Sequence, residues 1–218
     1  MSYISSTCTA RTDHSHKRAS VMTAPDVKSA RDRILQGACE LFALYGYQAI
    51  GLRELAEHVG IKPGSLYHHI DSKQSLLYEL MEDAINELLY STRLNLRRKA
   101  QAHERLNCFI DTFLAFKTGC AARACLLARE QINLTAAQAD EFNGLKNDYI
   151  QILSDIIKDL IRANRLHPAT LSMASDAVLG MLFNHAQWLN TEVSGTQQSP
   201  ALKRFAYGII ATMNSEAA

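Results

Sequence analysis

Hydrophobic residues recur every three or four positions along most of the chain, which is the spacing of amphipathic helices. The first such run is Ile34, Ala38, Leu41, Phe42 and Tyr45, starting near Val27, and Gly46 then supplies a helix stop. No stretch alternates with the two-residue period of a strand over a strand's length. The pattern therefore predicts an all-helical fold.

Further helices follow from the same spacing. Two short helices are expected at Leu52–Val59 and Pro63–His69. Asp71, with Gln74 three residues later, matches a capping box and predicts the start of a long helix that runs to about Lys99. We expect the remaining helices near Glu104–Lys117, Arg123–Gln131, Ala136–Asn164, Ala169–Asn190 and Ser199–Ser215.

The pattern divides the chain into three parts. Residues 1–24 are polar and lack any apolar period, so we expect a disordered tail there. Residues 25–76 hold the short helices and form a first domain, and residues 77–218 form a larger helical domain.

Composition narrows the class of protein. Hydrophobic residues make up 47% of the 218 residues and charged residues 21%, as in globular proteins. No apolar run is long enough to predict a transmembrane helix, and the N-terminus does not resemble a secretory signal. The formal net charge is +1, which excludes a polycation that coats nucleic acid, so any contact with nucleic acid must be local.

The reactive side chains predict neither a metal site nor a catalytic site. Five cysteines without an export signal indicate reduced thiols and a cytoplasmic protein. Cys120 and Cys125 have no second Cys or His pair at zinc spacing nearby, whereas zinc needs four converging ligands. We find no Gly-x-Ser-x-Gly or His-Glu-x-x-His motif, and we expect no cofactor.

The most informative segment is Ala49–Lys73, whose small residues suit a helix-turn-helix. Ala56 permits two short helices to cross closely, and Gly60 tolerates the positive φ that the turn between them requires. Pro63 stands at the first position of the second helix, where its missing N–H is harmless. The second helix is therefore a candidate reader of the DNA major groove.

The outer side of this second helix is predicted to carry hydrogen-bonding groups suited to phosphates and base edges. These residues are Lys62, Ser65, Tyr67 and His68, whereas Leu66 and Ile70 are predicted to face inward. From the pattern alone, an ordinary helical hairpin with a solvated polar face remains an alternative.

Two basic residues stand at the starts of helices. A cation there opposes the helix dipole at a cost of about 0.3–1 kcal/mol. Lys73 and Arg53 are both placed this way, and their positions are better explained if they and the neighbouring N–H groups hold phosphates.

The combined motif resembles the N-terminal domain of TetR-family transcriptional regulators. It consists of Gly46-Tyr47, Leu55-Ala56, Val59-Gly60-Ile61, Gly64-x-Leu66-Tyr67-x-His69 and Ser72-Lys73-x-x-Leu76-Leu77. The resemblance covers roughly residues 28–77 and implies a homodimeric, all-helical repressor. Such a protein has a three-helix DNA-binding domain followed by a divergent helical domain that binds a small ligand.

Carried over by position, the resemblance assigns Lys62, Ser65, Tyr67 and His68 to the recognition helix and Arg53 and Lys73 to DNA-backbone contacts. The chain departs from the family pattern at three positions. Gly51 replaces a capping Thr, Lys62 replaces a Ser or Thr cap, and Ile70 replaces a Phe.

The larger domain contains aromatic residues that could line an effector pocket. Our candidates for contact with a small ligand are Phe113, Phe142, Tyr149 and Trp188, with Arg123 able to pair a carboxylate or phosphate. The alternative is that these residues are ordinary core. The helix layout around residues 140–190 also resembles TetR-family sensors of acyl-coenzyme A thioesters, which suggests that effector class.

The last two long helices carry small and apolar residues at helical spacing. Gly180 and Gly208 would let helices approach closely, so two helices from each protomer could form a four-helix interface around a two-fold axis. Burial of the same faces within one protomer is the alternative.

The sequence therefore predicts a ligand-responsive homodimer that binds a near-palindromic, double-stranded DNA operator, most simply as a repressor. Two other classes stay open. One is an all-helical small-molecule-binding protein whose helix-turn-helix is structural, and the other is a helical enzyme that uses the cavity as its active site.

Overall fold

The computed structural model describes residues 29–161, 168–188 and 195–215. The first helices are α1 (Ala30–Tyr45), α2 (Leu52–His58), α3 (Pro63–Leu66) and α4 (Lys73–Leu96). The remaining helices are α5 (Ala102–Gly119), α6 (Ala121–Arg129), a 3₁₀ helix (Glu130–Asn133), α7 (Ala136–Ile161), α8 (Pro168–Trp188) and α9 (Gly195–Ser215). These described residues contain no strand, and the all-helical prediction is confirmed.

Several predicted boundaries shift. The long fourth helix ends at Leu96 rather than near Lys99, and α9 begins at Gly195, four residues before the predicted Ser199. The predicted tail at residues 1–24 lies outside the described residues, as do the predicted helix ends at 162–164 and 189–190.

The cap of α4 differs from the predicted capping box. Ser72, not Asp71, is the N-cap residue: its Oγ accepts a hydrogen bond from the Ser75 N–H at 2.9 Å, and the Ser75 hydroxyl oxygen accepts one from the Ser72 N–H at 3.0 Å. The capping box of Asp71 and Gln74 is therefore wrong. The reciprocal Ser72–Ser75 pair satisfies the free N–H groups and leaves the Gln74 side chain available for contacts elsewhere.

The N-terminal domain forms around α1. Ile34 and Phe42 of this helix, together with Leu55 and Leu66, are fully buried between the three helices. A Cβ added to Gly37 would lie only 2.5 Å from Val59 Cγ1, so the absence of a side chain there lets α1 and α2 pack closely. The predicted crossing residue, Ala56, is also fully buried.

Helix α4 continues from the first domain into the second. It packs against α1 near its start and against α5, α6 and α7 further along, while α8 and α9 pack outside α7 and α5. The core of the larger domain includes the stacked rings of Phe109 and Tyr149, whose centroids are 4.9 Å apart. Among the helices described, none is long and apolar enough to cross a membrane.

Candidate DNA interface and effector cavity

The turn between α2 and α3 has the geometry that the sequence predicted. Gly60 adopts a φ of 71°, which favours glycine because other side chains rarely adopt it. The Ile61 N–H donates to the Ala56 carbonyl at 2.9 Å and closes the end of α2. The two short helices are therefore held at a fixed angle by backbone contacts and by the buried Leu55 and Leu66.

The outer side of this unit is open to solvent. The side chains predicted to face outward are all exposed: Lys62, Ser65, Tyr67 and His68. Leu66 is fully buried and Ile70 is 7% exposed, so both face inward as predicted. Tyr67 is 61% exposed, so its ring and hydroxyl group are accessible from outside the domain.

Helix α3 is shorter than the predicted Pro63–His69. Its α-helical part ends at Leu66, after which the His68 and His69 N–H groups donate to the carbonyls three residues earlier, Ser65 and Leu66. The last turn is therefore tightened rather than lost. Lys62 provides no side-chain cap to α3, in agreement with the expected effect of replacing Ser or Thr at that position.

Arg53 lies exposed in the first turn of α2, two residues after the N-cap Gly51. Gly51 has no side chain to cap the helix, and its N–H instead approaches the Glu54 carboxylate at 3.5 Å. The first turn thus presents a guanidinium to solvent, and its contact with a DNA phosphate stays a prediction.

Lys73 occupies a more complex environment than the sequence indicated. Its Nζ lies 4.1 Å from the centroid of the Tyr47 ring, a cation–π contact. Partial burial lowers the pKa of Lys73, and the nearby Glu130 carboxylate opposes that shift. The ring and the carboxylate provide a second explanation for a cation at the start of α4, and its phosphate contact stays a prediction.

An apolar cavity of about 280 Å³ lies in the larger domain, between α4, α6, α7 and α8. Its apolar walls are formed by Ile85, Leu127, Ala128, Phe142, Tyr149, Ile150, Leu179, Gly180 and Phe183. Its polar lining consists of Gln131, Lys146, Asp176 and Asn184. An apolar enclosure with a few polar groups is the usual form of a small-molecule site.

Two of the predicted ligand residues line this cavity, Phe142 and Tyr149. Phe113 is fully buried and does not line it, although its ring packs edge-on against Phe183 with centroids 4.8 Å apart. The side chain of Trp188 lies outside the described residues.

Arg123 lies at a different place. It forms an ion pair with Glu87 and borders a cleft of about 570 Å³ between α1, α4 and the α5–α6 link. That cleft also contains Asp32, Glu40 and Asp83, so its charged lining suits an apolar ligand poorly. The structure therefore does not bring Arg123 together with Phe142 and Tyr149.

The polar residues of the apolar cavity were missed by sequence reasoning. Lys146 follows Phe142 by four residues and precedes Tyr149 by three, so helical spacing alone places it on the same face of α7. Its Nζ donates a hydrogen bond to Gln131 Oε1 at 3.3 Å. Gln131 belongs to the 3₁₀ helix, whose position no local pattern indicated.

The Tyr149 hydroxyl is buried beside Thr92, yet among the described residues neither oxygen has a hydrogen bond of normal geometry. Burial raises the pKa of Tyr149. An unpaired buried hydroxyl costs about 1–3 kcal/mol, so this wall of the cavity is not optimised for stability alone.

A set of hydrogen bonds, the domain junction, joins the two domains. On the C-terminal side, Asn133 Oδ1 accepts from Gln48 Nε2 at 2.7 Å, and the Asn133 carbonyl accepts from Gln74 Nε2 at 2.8 Å. Gln74 Oε1 in turn accepts from the Tyr47 hydroxyl at 2.9 Å. Asn133 Nδ2 donates to the buried Glu130 carboxylate at 2.7 Å. The 3₁₀ helix is thus bonded both to the loop after α1 and to the start of α4.

No group of three or more His, Cys, Asp or Glu side chains is arranged to hold a metal ion in the described ranges.

Two family models match the chain. One, described as bacterial regulatory proteins of the tetR family, matches residues 34–80. The other, described as the tetracyclin repressor-like C-terminal domain, matches residues 99–212, which is more than half of the chain.

Individual relatives match over shorter stretches. The repressor KstR2 of Mycolicibacterium smegmatis is 41% identical over 69 residues, 30% of this chain and 34% of that protein. The fatty acid metabolism regulator protein of Bacillus subtilis is 24% identical over 136 residues, 62% of this chain and 69% of that protein. The chain spans between 28% and 48% of the length of the first curated relatives that it matches.

Solved structures share the fold. A tetR-family regulatory protein from Rhodococcus RHA1 superposes with a TM-score of 0.74 at 21% identity, covering 85% of this chain and 97% of that one. AibR, solved with isovaleryl coenzyme A and operator DNA, superposes with a TM-score of 0.70 at 19% identity, covering 84% and 97%.

These matches account for both halves of the described fold, the helix-turn-helix unit and the helices that enclose the cavity. They also decide against the enzyme alternative, because the family consists of DNA-binding regulators. The chain belongs to the tetR family of bacterial transcriptional regulators.

Proposed function

We propose that the protein is a cytoplasmic repressor that binds a near-palindromic DNA operator as a homodimer and is released by a small apolar or acyl-type effector. The DNA-binding part of the proposal rests on one observation: the helix-turn-helix has an apolar buried side and an exposed side with hydrogen-bonding groups. Its inner residues Leu66 and Ile70 are buried, while Lys62, Ser65, Tyr67 and His68 are all exposed.

The effector part is supported by the apolar cavity and by its connection to the DNA-binding domain. Gln131 lines the cavity and belongs to the same 3₁₀ helix as Asn133 of the domain junction. Among the relatives, the fatty acid metabolism regulator of Bacillus subtilis and AibR with isovaleryl coenzyme A point to acyl compounds as effectors. A cavity of about 280 Å³ suits an acyl chain, so the nucleotide of a coenzyme A thioester must lie outside it.

The dimer part of the proposal is supported by exposed apolar side chains and glycines on α8 and α9. Phe205 of α9 is 61% exposed and Met173 of α8 is 67% exposed. Gly180 and Gly208, predicted to let helices approach closely, are exposed too. These positions are not buried within one protomer, which favours a two-fold interface over intramolecular packing.

Dimerisation sets the geometry of the operator. Two recognition units related by a two-fold axis read half-sites about 34–36 Å apart, or a multiple of that distance. An effector that binds preferentially to the conformation with wrongly separated units lowers DNA affinity, and the shift cannot exceed its differential affinity for the two states. Helix α4 acts as the lever because it belongs to both domains.

The test is Tyr67→Ala, with binding measured to DNA from upstream of the protein's own gene. Tyr67 reaches the DNA from each protomer, so we expect the dissociation constant to rise at least about tenfold. The melting temperature should hardly change, because the side chain is exposed and supports no core contact. Lys73→Ala is a less specific probe, since it also removes the cation–π contact with Tyr47.

Tyr90→Ala is the matched control. Tyr90 is 68% exposed, similar to Tyr67, but it lies in the C-terminal half of α4, away from the helix-turn-helix. We expect this variant to bind the same DNA as tightly as the wild type. Equal affinity of the Tyr67→Ala variant and the wild type would show that the groove assignment is wrong.

A further inference from the structure

Lys146 is a half-buried cation in the wall of the effector cavity. Its Nζ donates to a neutral oxygen, Gln131 Oε1, at 3.3 Å, and it forms no ion pair with any described residue. Lys158, on the same helix, pairs instead with the Asp155 carboxylate on the surface. An ammonium beside apolar walls loses hydration that an amide oxygen replaces only in part.

The acidic residue of the lining does not neutralise Lys146. Asp176 stands on α8 and is exposed, and among the described residues it forms no ion pair with Lys146. The half-buried charge of the cavity is therefore positive, and the group that best complements it is an anion.

Gln131, the partner of Lys146, also belongs to a series of hydrogen bonds that leads to the DNA-binding domain. Gln131 Nε2 donates to the Leu127 carbonyl at 2.8 Å, which ties the 3₁₀ helix to the last turn of α6. Two residues further on, Asn133 bonds to Gln48 and Gln74 at the domain junction. A change in the Lys146–Gln131 hydrogen bond thus acts on a four-residue helix that touches both domains.

We propose that the effector is an apolar molecule with a carboxylate head group, and that Lys146 binds this carboxylate in place of the Gln131 carbonyl. The apolar part lies against Phe142, Ile150 and Phe183. Release of Gln131 loosens the 3₁₀ helix and weakens its hold on the DNA-binding domain. The inference rests on the proposed function, of which it names the effector class and the residue that selects it.

The experiment compares three probes with the same ten-carbon chain: decanoate, decanol and decylamine, each below its aggregation concentration. Binding to the full chain is measured by calorimetry and thermal shift at pH 7.5. A charge-assisted hydrogen bond gives about tenfold or more in affinity, so decanoate should bind at least tenfold more tightly than decanol. Lys146→Met should abolish that preference, and the control Lys158→Met, exposed on the same helix, should retain it.

Asp176→Asn should change decanoate binding in the direction opposite to Lys146→Met. Removing a negative charge near the head group should strengthen decanoate binding, whereas a site for cations would bind decylamine more weakly after this change. Equal binding of decanoate and decanol to the wild type, a preference for decylamine, or a decanoate preference that survives in Lys146→Met would each overturn the proposal. DNA binding by the probe-free wild type is measured separately, so failure of the repressor function is distinguished from failure of the carboxylate site.

Discussion

At the scale of the residue, Cys39 is a thiol whose surroundings change its chemistry. It lies on α1 with 7% of its surface exposed and borders the cleft that also contains Cys120 and Arg123. Burial raises the pKa of Cys39 from its usual 9.0 to about 11, although the Arg123 guanidinium opposes that shift. The folded protein therefore holds the thiol proton more tightly than the unfolded chain does.

This difference predicts a pH dependence of stability. Well below pH 9 both states keep the thiol proton and its contribution to stability is complete. Between pH 9 and 11 the unfolded chain loses the proton while the folded protein retains it, so the free energy of unfolding should fall by up to about 3 kcal/mol. Urea unfolding at intervals from pH 8 to pH 10.5 measures this fall in the free energy of unfolding. In Cys39→Ala the free energy of unfolding should lose this part of its dependence on pH. If the free energies of the variant and the wild type change with pH in the same way, the prediction is wrong.

At the scale of the element, the helix-turn-helix depends on a close approach of α1 and α2. Gly37 is fully enclosed, and a Cβ there would meet Val59 Cγ1 at 2.5 Å and His58 Cδ2 at 3.1 Å. Val59 is β-branched and stiff, so it cannot easily move aside. Gly144, in α7, is also a helical glycine, but a Cβ there would meet no atom within 4 Å.

The two glycines should respond oppositely to alanine. Gly37→Ala overpacks the α1–α2 contact and should lower the free energy of unfolding by about 1–3 kcal/mol. Gly144→Ala should raise it by about 0.5–1 kcal/mol, because alanine restricts the unfolded chain and suits a helix better. Denaturant unfolding of both variants measures the change. Stabilisation in Gly37→Ala would mean that α1 and α2 are further apart than described.

At the scale of the whole molecule, Gln74 connects the two domains. Its side chain accepts from the Tyr47 hydroxyl and donates to the Asn133 carbonyl and to Gln138 Oε1, so one residue at the start of α4 bonds to both sides. The bonds to Asn133 and Gln138 cross from the first domain to the second, so they exist only when the domains are docked.

Gln74→Ala should loosen the docking. It leaves the Tyr47 hydroxyl and the Asn133 carbonyl without these partners, at a cost of about 1–3 kcal/mol. Hydrogen exchange should become faster in α1 to α3 while that of α5 and α7 is little changed. The control is Gln151→Ala, because Gln151 is exposed on α7 and, within the part of the chain that the structure describes, its side chain bonds to Asp155, one turn away. Unchanged exchange in Gln74→Ala would show that the junction does not hold the domains together.

The sequence by itself determined the helices, the all-helical class and the inner and outer sides of the helix-turn-helix. These features depend on spacing within one helix or turn: Leu66 and Ile70 face inward and Tyr67 faces outward because of helical periodicity, and Gly60 is required by the turn itself. The family motif was readable for the same reason, since all its residues lie within a short stretch of the chain.

The tertiary structure alone decided which helices surround the cavity and which residues join the domains. Periodicity identifies the buried face of a helix but not the helix that it meets, so Arg123 was grouped with Phe142 although it lies against Glu87 at another cleft. Lys146 and Gln131 meet across 15 residues, and Gln48 and Asn133 across 85. Such pairs form only when separate elements pack, because hydrogen bonds between distant residues depend on the arrangement of the whole fold.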